Sequence, residues 1–380
     1  MAFSTERILE TNVKDQDLEF ARRALELAAR GVGNVSPNPL VGCVIVDKDG
    51  AVAGEGFYTY DGVVHAEQIA LAAAGERARG GTAYVSLEPH SHHGRTEPCT
   101  EALIEAGVAR VVCPVEDPNP LVSGKGFARL QEAGVAVAVG LLGREASVLN
   151  EKFICWHKKN RPFVHLKLAA SLDGRISLSS SVSTYLTGEA ARERVQRLRH
   201  EHDAILVGGT TVAVDDPKLT DRSGLSRRRK LVRVVLDGHL ATPEASAVVQ
   251  TAKDVPTIIF TAPQNEKAAR LEAFGVEVIE DPAGGRDLAF VLEELRRRDI
   301  QSVLVEGGSA VAGSFRDAGL IDKLTILYAP LVIGGEAAPA AFAGEGAAEM
   351  SDALRLTQVS VTQLGGDIEI TGYPQPNEVS

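Results

Sequence analysis

The chain has 380 residues, of which 44% are hydrophobic and 24% charged, with a formal net charge of −11. At about 100 to 200 residues per domain this length points to two or three domains, two being the better fit, and the composition favours neither a disordered nor a membrane-embedded class. The acidic balance argues against a nucleic-acid or anionic-membrane partner, because phosphate surfaces demand basic ones, and leaves a small-molecule substrate.

The opening "MAFSTERILETNVKDQDLEF" carries early charges and no apolar stretch of signal-peptide length, so a cytoplasmic protein is expected. Cys43, Cys99, Cys113 and Cys155 are too scattered for a disulfide scaffold, leaving core, thiol or ligand roles in a reducing compartment. Asp17 to Arg30 places Leu18, Ala21, Leu25 and Ala28 at helical spacing, with Gly31 as a C-cap. After the break "SPNPLVG", the run "CVIVDKDGAVAGEGFY" reads as a strand, a turn at Asp49 and Gly50, and an antiparallel second strand. Helices over His65–Ala74, Thr100–Ala106 and Gly126–Ala133 then alternate with strands over Ala83–Ser86, Arg110–Val115 and Ala136–Val139. Such alternation makes a layered α/β domain. The polar segment Leu149–Phe163 reads as a connector, giving domains over residues 1–150 and 151–380.

The second half is α/β as well. Its strands are "VHLKLAA", "AILVGG", "LVRVVLD", "TIIFTA", "VEVIE", "SVLVEGG" and "KLTILYAPLVIG". Helices fall over Ala190–His200, Lys267–Phe274, Leu288–Arg298 and Ala310–Ala318. The basic cluster "SRRRK", Ser226 to Lys230, reads as a solvated loop.

Chemistry concentrates first at His65, Ala66 and Glu67, which open a helix so that imidazole and carboxylate project from one turn. Zinc deaminases use this spacing, the histidine holding metal and the glutamate moving the proton of the attacking water. Alone, such a tripeptide is more often a surface histidine with a carboxylate compensating the helix dipole. The strand "AYVSLEP" and the "PC" that opens the next helix add a second helix N-terminus, where a thiolate at Cys99 is favoured.

With "SPNPLVGCVIV", "HAEQIAL", "LEPHSHHGRTEPC", "ALIEAGVARVV" and "DPNP", the chain resembles, over nearly its whole length, the bifunctional riboflavin-biosynthesis deaminase/reductase family. The resemblance implies a cytidine-deaminase-like, three-layer N-terminal domain in which His65 and Cys99 bind zinc, Glu67 is the general acid/base and Asn38 holds the pyrimidine. The family pattern has cysteine where this chain has His90, so the expected ligands become His65, His90 and Cys99. Zinc accepts imidazole and thiolate alike, but imidazole is bulkier, so the loop or rotamer at His90 must adjust. The competing expectation is a metal-weak domain kept as a scaffold. His92 and His93 fall in "SHHGRT", a substrate-side loop by the resemblance, and Arg95 either meets the substrate phosphate or is simply exposed.

"HLKLAASLDGRISL", "STYLTG" and "RLRHEHDAILVGGTTVAVDDPKLTDR" resemble the reductase half of the same family, implying a dihydrofolate-reductase-like C-terminal domain. Gly208 and Gly209 leave backbone amides open for a phosphate or ribose, and Asp215 and Asp216 can accept from sugar hydroxyls. "VEGGSAVAGSF" suits a pyrophosphate at a helix N-terminus but lacks the full GxGxxG spacing, so alone it would be an ordinary strand-to-helix turn. The resemblance implies NADPH contacts at Ala169, Tyr185, Thr211, Asp215 and Gly238, and along Gly308, Ser309, Ala310, Val311, Ala312, Gly313 and Ser314. Tyr185 stands where other members often have tryptophan. Implied substrate contacts are Ser183, Arg199, Leu219, Arg222 and Glu306, with Lys167 close by. The bland readings are an exposed Arg199 on a basic helix and a hydrated strand-end Glu306.

The expected reactions are zinc-dependent deamination of 2,5-diamino-6-(5-phosphoribosylamino)pyrimidin-4-one, then NADPH-dependent reduction of its ribosyl group to ribityl. A homo-oligomer formed through the reductase half is implied too. A nucleic-acid-editing deaminase is disfavoured by the acidity and by the reductase half.

Overall fold

In a computed structural model that describes residues 15–92, 97–179, 185–263 and 266–375, the chain divides after Asn160 into two units, each with its own core. The first contains helices α1 (Asp15–Ala29), α2 (Ala66–Ala74), α3 (Cys99–Glu105), α4 (Lys125–Glu132), α5 (Gly143–Leu149) and α6 (Glu151–Lys158). Its strands are β1 (Gly42–Val46), β2 (Val52–Phe57), β3 (Thr82–Val85), β4 (Arg110–Cys113) and β5 (Ala136–Val139), in the order β2-β1-β3-β4-β5. Strand β1 pairs antiparallel with β2 and β3, while β3, β4 and β5 run parallel.

Alternation along β1 builds the layers, because successive side chains leave a strand on opposite faces. Cys43 and Ile45 meet Ala66, Ala70, Ala74, Leu103 and Leu130 from α2, α3 and α4. Val44 and Val46 meet Ala21, Ala24 and Leu27 from α1.

The segment expected to be a polar connector is instead mostly helix α6. Phe153 and Cys155 turn inward, and Asn150, buried just ahead of it, donates to Leu40 O at 2.9 Å and accepts from Leu40 N at 2.8 Å. A short helix with only two buried apolar side chains reads as polar in sequence, which is why its periodicity is hidden.

The second unit contains β6 (Phe163–Ser171), α7 (Glu189–Glu201), β7 (Ala204–Gly208), α8 (Gly209–Asp215), β8 (Val232–Leu236), α9 (Ala247–Gln250), β9 (Thr257–Thr261), α10 (Glu266–Ala273) and β10 (Glu277–Glu280). There follow α11 (Leu288–Arg297), β11 (Ser302–Val305), α12 (Ser309–Asp317), β12 (Lys323–Ala329), β13 (Leu356–Leu364) and β14 (Asp367–Pro374). The sheet order is β10-β9-β8-β7-β11-β6-β12-β14-β13, parallel from β10 to β12 and closed by an antiparallel hairpin. Leu206, Val234 and Phe260 pack under α11 and α12 on one face, and Ile205, Val235 and Ile259 pack against Val212, Val248 and Leu271 on the other.

Three expectations change here. Helices α5, α8 and α9 and the β13–β14 hairpin are absent from the sequence reading. The strand expected to run to Gly334 ends at Ala329, because the Asp173 carboxylate takes the N–H groups of Ile333 at 3.0 Å and Gly334 at 2.7 Å out of the ladder. "SRRRK" is not a freely solvated loop: Arg227 donates to His202 O at 2.8 Å and to Asp221 Oδ2 at 3.0 Å. Among the described residues no helix is long and apolar enough to cross a membrane.

Candidate active sites

Two glycines decide where α2 lies. A Cβ at Gly54 would come within 2.1 Å of Ala70 O, and one at Gly56 within 2.4 Å of Ala66 O, so only glycine lets the helix rest directly on β2. This seats His65 as the residue before the helix, at φ −76° and ψ 152°, with Glu67 in its first turn. Cys99 opens α3, whose Thr100 N–H donates to His90 O at 3.3 Å.

The ligand atoms of His65, His90 and Cys99 lie within 4.8 Å of one another. Zinc arms of about 2.0 to 2.3 Å in a tetrahedron hold such atoms roughly 3.3 to 3.6 Å apart, so a contraction of about an ångström closes the site. The His65 and His90 ring centroids are 4.6 Å apart with planes at 32°. Burial, with the neighbouring His65 and His92, pushes His90 down to about 4, leaving the neutral imidazole that a ligand must be. Burial and then Glu67 hold the Cys99 thiol well above its ordinary value, a preference that a bound cation reverses.

Glu67 is buried, and its Oε2 has no hydrogen-bond partner among the described residues. Burial raises its pKa. A buried acceptor left open beside three converging donors suits a reacting water at the metal. The donor set fits zinc.

Asn38 reaches the same site, its Nδ2 donating to the Tyr58 hydroxyl at 2.6 Å, while the Tyr58 ring stands edge-on to His65 at 5.5 Å. Tyr58 and Glu88 escaped the sequence reading. The Glu88 carboxylate, buried two residues before His90, collects the N–H groups of Asp117, Gly124, Gly126 and Phe127 at 2.9 to 3.3 Å. A charged residue at the end of the apolar strand "AYVSL" was the available signal. His92 is exposed, with its ring 5.1 Å from His90, and His93 and Arg95 lie outside the described residues.

In the second unit, connections after β7 run outward through β8, β9 and β10, whereas β11 leads to β12 on the other side. Ligands of open α/β sheets bind at such a switch point, beyond the carboxyl ends of the strands. Both strands there end in glycine pairs, Gly208–Gly209 and Gly307–Gly308. A Cβ at Gly307 would stand 2.6 Å from Val311 Cβ, and one at Gly308 would point at Thr211 Oγ1, 4.0 Å away. Gly238 lies against Gly284, where a Cβ would come within 2.9 Å of Gly284 O.

Not every implied cofactor position faces this cleft. Ala312 is packed into the core, and a Cβ at Gly313 would sit 1.9 Å from Ala343 O, so that stretch of α12 serves packing. Ser314 Oγ donates to Ala310 O at 3.0 Å, and Ser309 Oγ to Ala340 O. The first turn, Gly308 to Val311, remains for a ligand. Asp215 is exposed at the end of α8, whereas Asp216 Oδ1 accepts from Ala247 N at 2.7 Å. Tyr185 is 79% exposed under Arg192, Ala169 is half-buried against Val195 and Leu327, and Ser183 lies outside the described residues.

Lys167, Arg199 and Glu306 do converge. Arg199 Nε donates to Glu306 Oε1 at 2.7 Å and its Nη2 to Oε2 at 3.1 Å, while Lys167 Nζ stands 3.7 Å from Oε2. All three are nearly buried. Burial alone would raise the Glu306 carboxyl, but Arg199 and Lys167 outweigh it and hold it below its ordinary value. Burial lowers the Lys167 ammonium in spite of Glu306. Arg199 thus commits its fork to Glu306, and Arg222 is the exposed cation nearby in sequence, its N–H donating to Gln196 Oε1 at 2.9 Å. Leu219 is buried in the same loop at φ +48°.

Residues 14–115 match the family model of the cytidine and deoxycytidylate deaminase zinc-binding region, and residues 162–370 match that of the RibD C-terminal domain. The riboflavin biosynthesis protein RibD of Bacillus amyloliquefaciens is 43% identical over 358 residues, covering 94% of this chain and 96% of that relative. The chain belongs to the RibD family. The RibD of Escherichia coli K12 is 43% identical over 333 residues, 85% of this chain and 90% of its own. The solved structure of Acinetobacter baumannii RibD superposes with a TM-score of 0.84 at 37% identity, covering 95% of this chain and 99% of that one. A Thermotoga maritima structure described as a diaminohydroxyphosphoribosylaminopyrimidine deaminase/5-amino-6-(5-phosphoribosylamino)uracil reductase gives 0.82 at 34% identity, over 95% of this chain and 99% of that one.

This RibD-family chain is a bifunctional riboflavin-biosynthesis enzyme, with a zinc-binding, cytidine-deaminase-like domain and a dihydrofolate-reductase-like reductase that uses NADPH. Its substrate is a small-molecule pyrimidine. The match to a zinc-binding region, together with three donors that converge in spite of the substitution at His90, speaks against a first unit kept only as a scaffold.

Proposed function

We propose that the first unit deaminates 2,5-diamino-6-(5-phosphoribosylamino)pyrimidin-4-one and that the second reduces the ribosyl group of the product to ribityl. The observation that carries the first step is the open Oε2 of Glu67 beside the His65, His90 and Cys99 cluster. Zinc held by those three residues would supply the Lewis acidity that makes water a nucleophile at neutral pH. Glu67 takes a proton from that water and delivers it to the departing amino group; its raised pKa keeps the protonated form within reach. Asn38, held by Tyr58, orients the pyrimidine.

In the second unit the first turn of α12, with Thr211 beside Gly308, would hold the cofactor's pyrophosphate, and Asp215 and Gly238 would supply further contacts to the cofactor. NADPH supplies the hydride. Glu306 binds the sugar, Arg199 holds Glu306 in place, Arg222 offers charge to the phosphate, and Lys167 Nζ is the proton source for the sugar oxygen released on reduction.

Glu67→Gln tests this reading. Deamination is expected to fall by about 10² to 10⁴, with metal content and reduction of the deaminated intermediate unchanged. Deamination at the wild-type rate would overturn the assignment.

We further propose a cytoplasmic homo-oligomer assembled through the reductase unit, without a nucleic-acid partner. Supporting it, outer strand β13 leaves most of its residues exposed, Val359 at 52% and Val361 at 65%, and an uncovered edge strand with apolar side chains invites pairing. Val361→Lys is expected to shift sedimentation toward a smaller species. An unchanged profile would remove β13 from the interface.

A further inference from the structure

The donor set itself has a consequence for which metal the enzyme holds. Among the described residues, the cluster that can hold a metal consists of two imidazoles and one thiol, and no carboxylate or second cysteine joins it. Cys43, Cys113 and Cys155 are buried and stand outside this cluster, Cys43 packing with Ala66 and Leu103 from the helices that carry it. Thiolates are soft anionic ligands that favour zinc, whereas neutral imidazole serves zinc, copper, iron and nickel alike. With a single thiolate, only one of the two charges of a divalent ion is neutralised by a ligand, and the preference for zinc rests on one sulfur.

The mounting of the ligands adds to this. His65 and Cys99 are fixed at the starts of two packed helices, but His90 lies in a coil segment between β3 and α3. Both imidazoles are only half-buried, while Cys99 is fully buried. Such a site can adjust the His90 ring to ions that prefer a different geometry or a higher coordination number.

We propose that this centre is metal-permissive, accepting cobalt(II) or nickel(II) in place of zinc with far less discrimination than a two-thiolate site would show. The proposal rests on the reading of His90 as a ligand.

The test uses the full-length chain stripped of metal, then equilibrated with zinc and cobalt in a buffer containing a competing chelator. Bound metals are measured by mass spectrometry, and the cobalt form by its thiolate charge-transfer absorption. The wild type is expected to retain a several-fold larger share of cobalt than His90→Cys, whose charge-transfer band should be about twice as intense because it has two thiolates rather than one. Equal zinc preference in the two proteins overturns the proposal. If His90→Ala binds zinc with wild-type stoichiometry and affinity, the ligand reading fails instead, which separates the two. Thermal unfolding followed by circular dichroism reports folding of the first unit in every variant, and should His90→Cys not fold, Cys99→His serves in its place. Having no thiolate, it is expected to take a larger share of cobalt than the wild type, and an unchanged share rejects the idea.

Discussion

Single residues set the loop that carries His90. Glu88 ties four backbone N–H groups from the stretch before and into α4 to the strand end two residues ahead of His90, and its neighbour Asp117 caps its own turn by accepting from Asn119 N at 2.7 Å. Burial, and then the charge of Glu88, pushes Asp117 up from 3.8 to about 6 against the pull of that hydrogen bond. A carboxyl with a higher pKa folded than unfolded binds more protons when folded. Its contribution to stability is therefore complete below about pH 4 and is lost as pH rises through about 6. On the order of 2 to 3 kcal/mol is involved. Urea unfolding at about pH 4.5 and about pH 7 should show a fall in stability for the wild type that Asp117→Asn reduces; parallel falls in both proteins would reject this account.

At the scale of elements, small residues set how closely helices approach the first sheet. Gly56→Ala would push a methyl into the Ala66 carbonyl, which Gly56 now faces with room for hydrogen only. Overpacking of this kind costs about 1 to 3 kcal/mol. Because α2 carries His65 at its start, zinc content should fall along with thermal stability. Gly366→Ala in the β13–β14 turn, where a Cβ meets nothing within 4 Å, is the control and should change stability by less than about 0.5 kcal/mol. If both variants behave alike, close helix–strand approach is not what seats His65. Two of the elements that escaped the sequence share a cause. Helix α6 buries only Phe153 and Cys155, and β13 is exposed on both faces, so neither shows the apolar period that a one-sided core imposes.

Over the whole molecule, the metal cluster belongs to the unit before Asn160 and the Lys167–Glu306–Arg199 cluster to the unit after it. Chelation should therefore abolish deamination while NADPH-dependent reduction of separately supplied intermediate continues. Loss of both activities on metal removal would mean that the second unit depends on the metal of the first.

The alternating α/β order, the His65-x-Glu67 spacing, Cys99 after a proline and the glycine pairs closing β7 and β11 were legible in the sequence, because each is a local pattern of neighbouring residues. The resemblance likewise drew Lys167, Arg199 and Glu306 to one site, but not their mutual use, with Arg199 spending its fork on Glu306. Tyr58 reaching Asn38 across 20 residues and Asn150 clamping Leu40 across 110 were illegible, since a hydrogen bond between distant positions leaves no trace in spacing. The sequence alone determined which donors the first unit possesses, including a histidine in a cysteine's place. Only the tertiary structure decided that this imidazole meets its partners within 4.8 Å, because the approach depends on how a loop tethered by Glu88 packs between two helix N-termini.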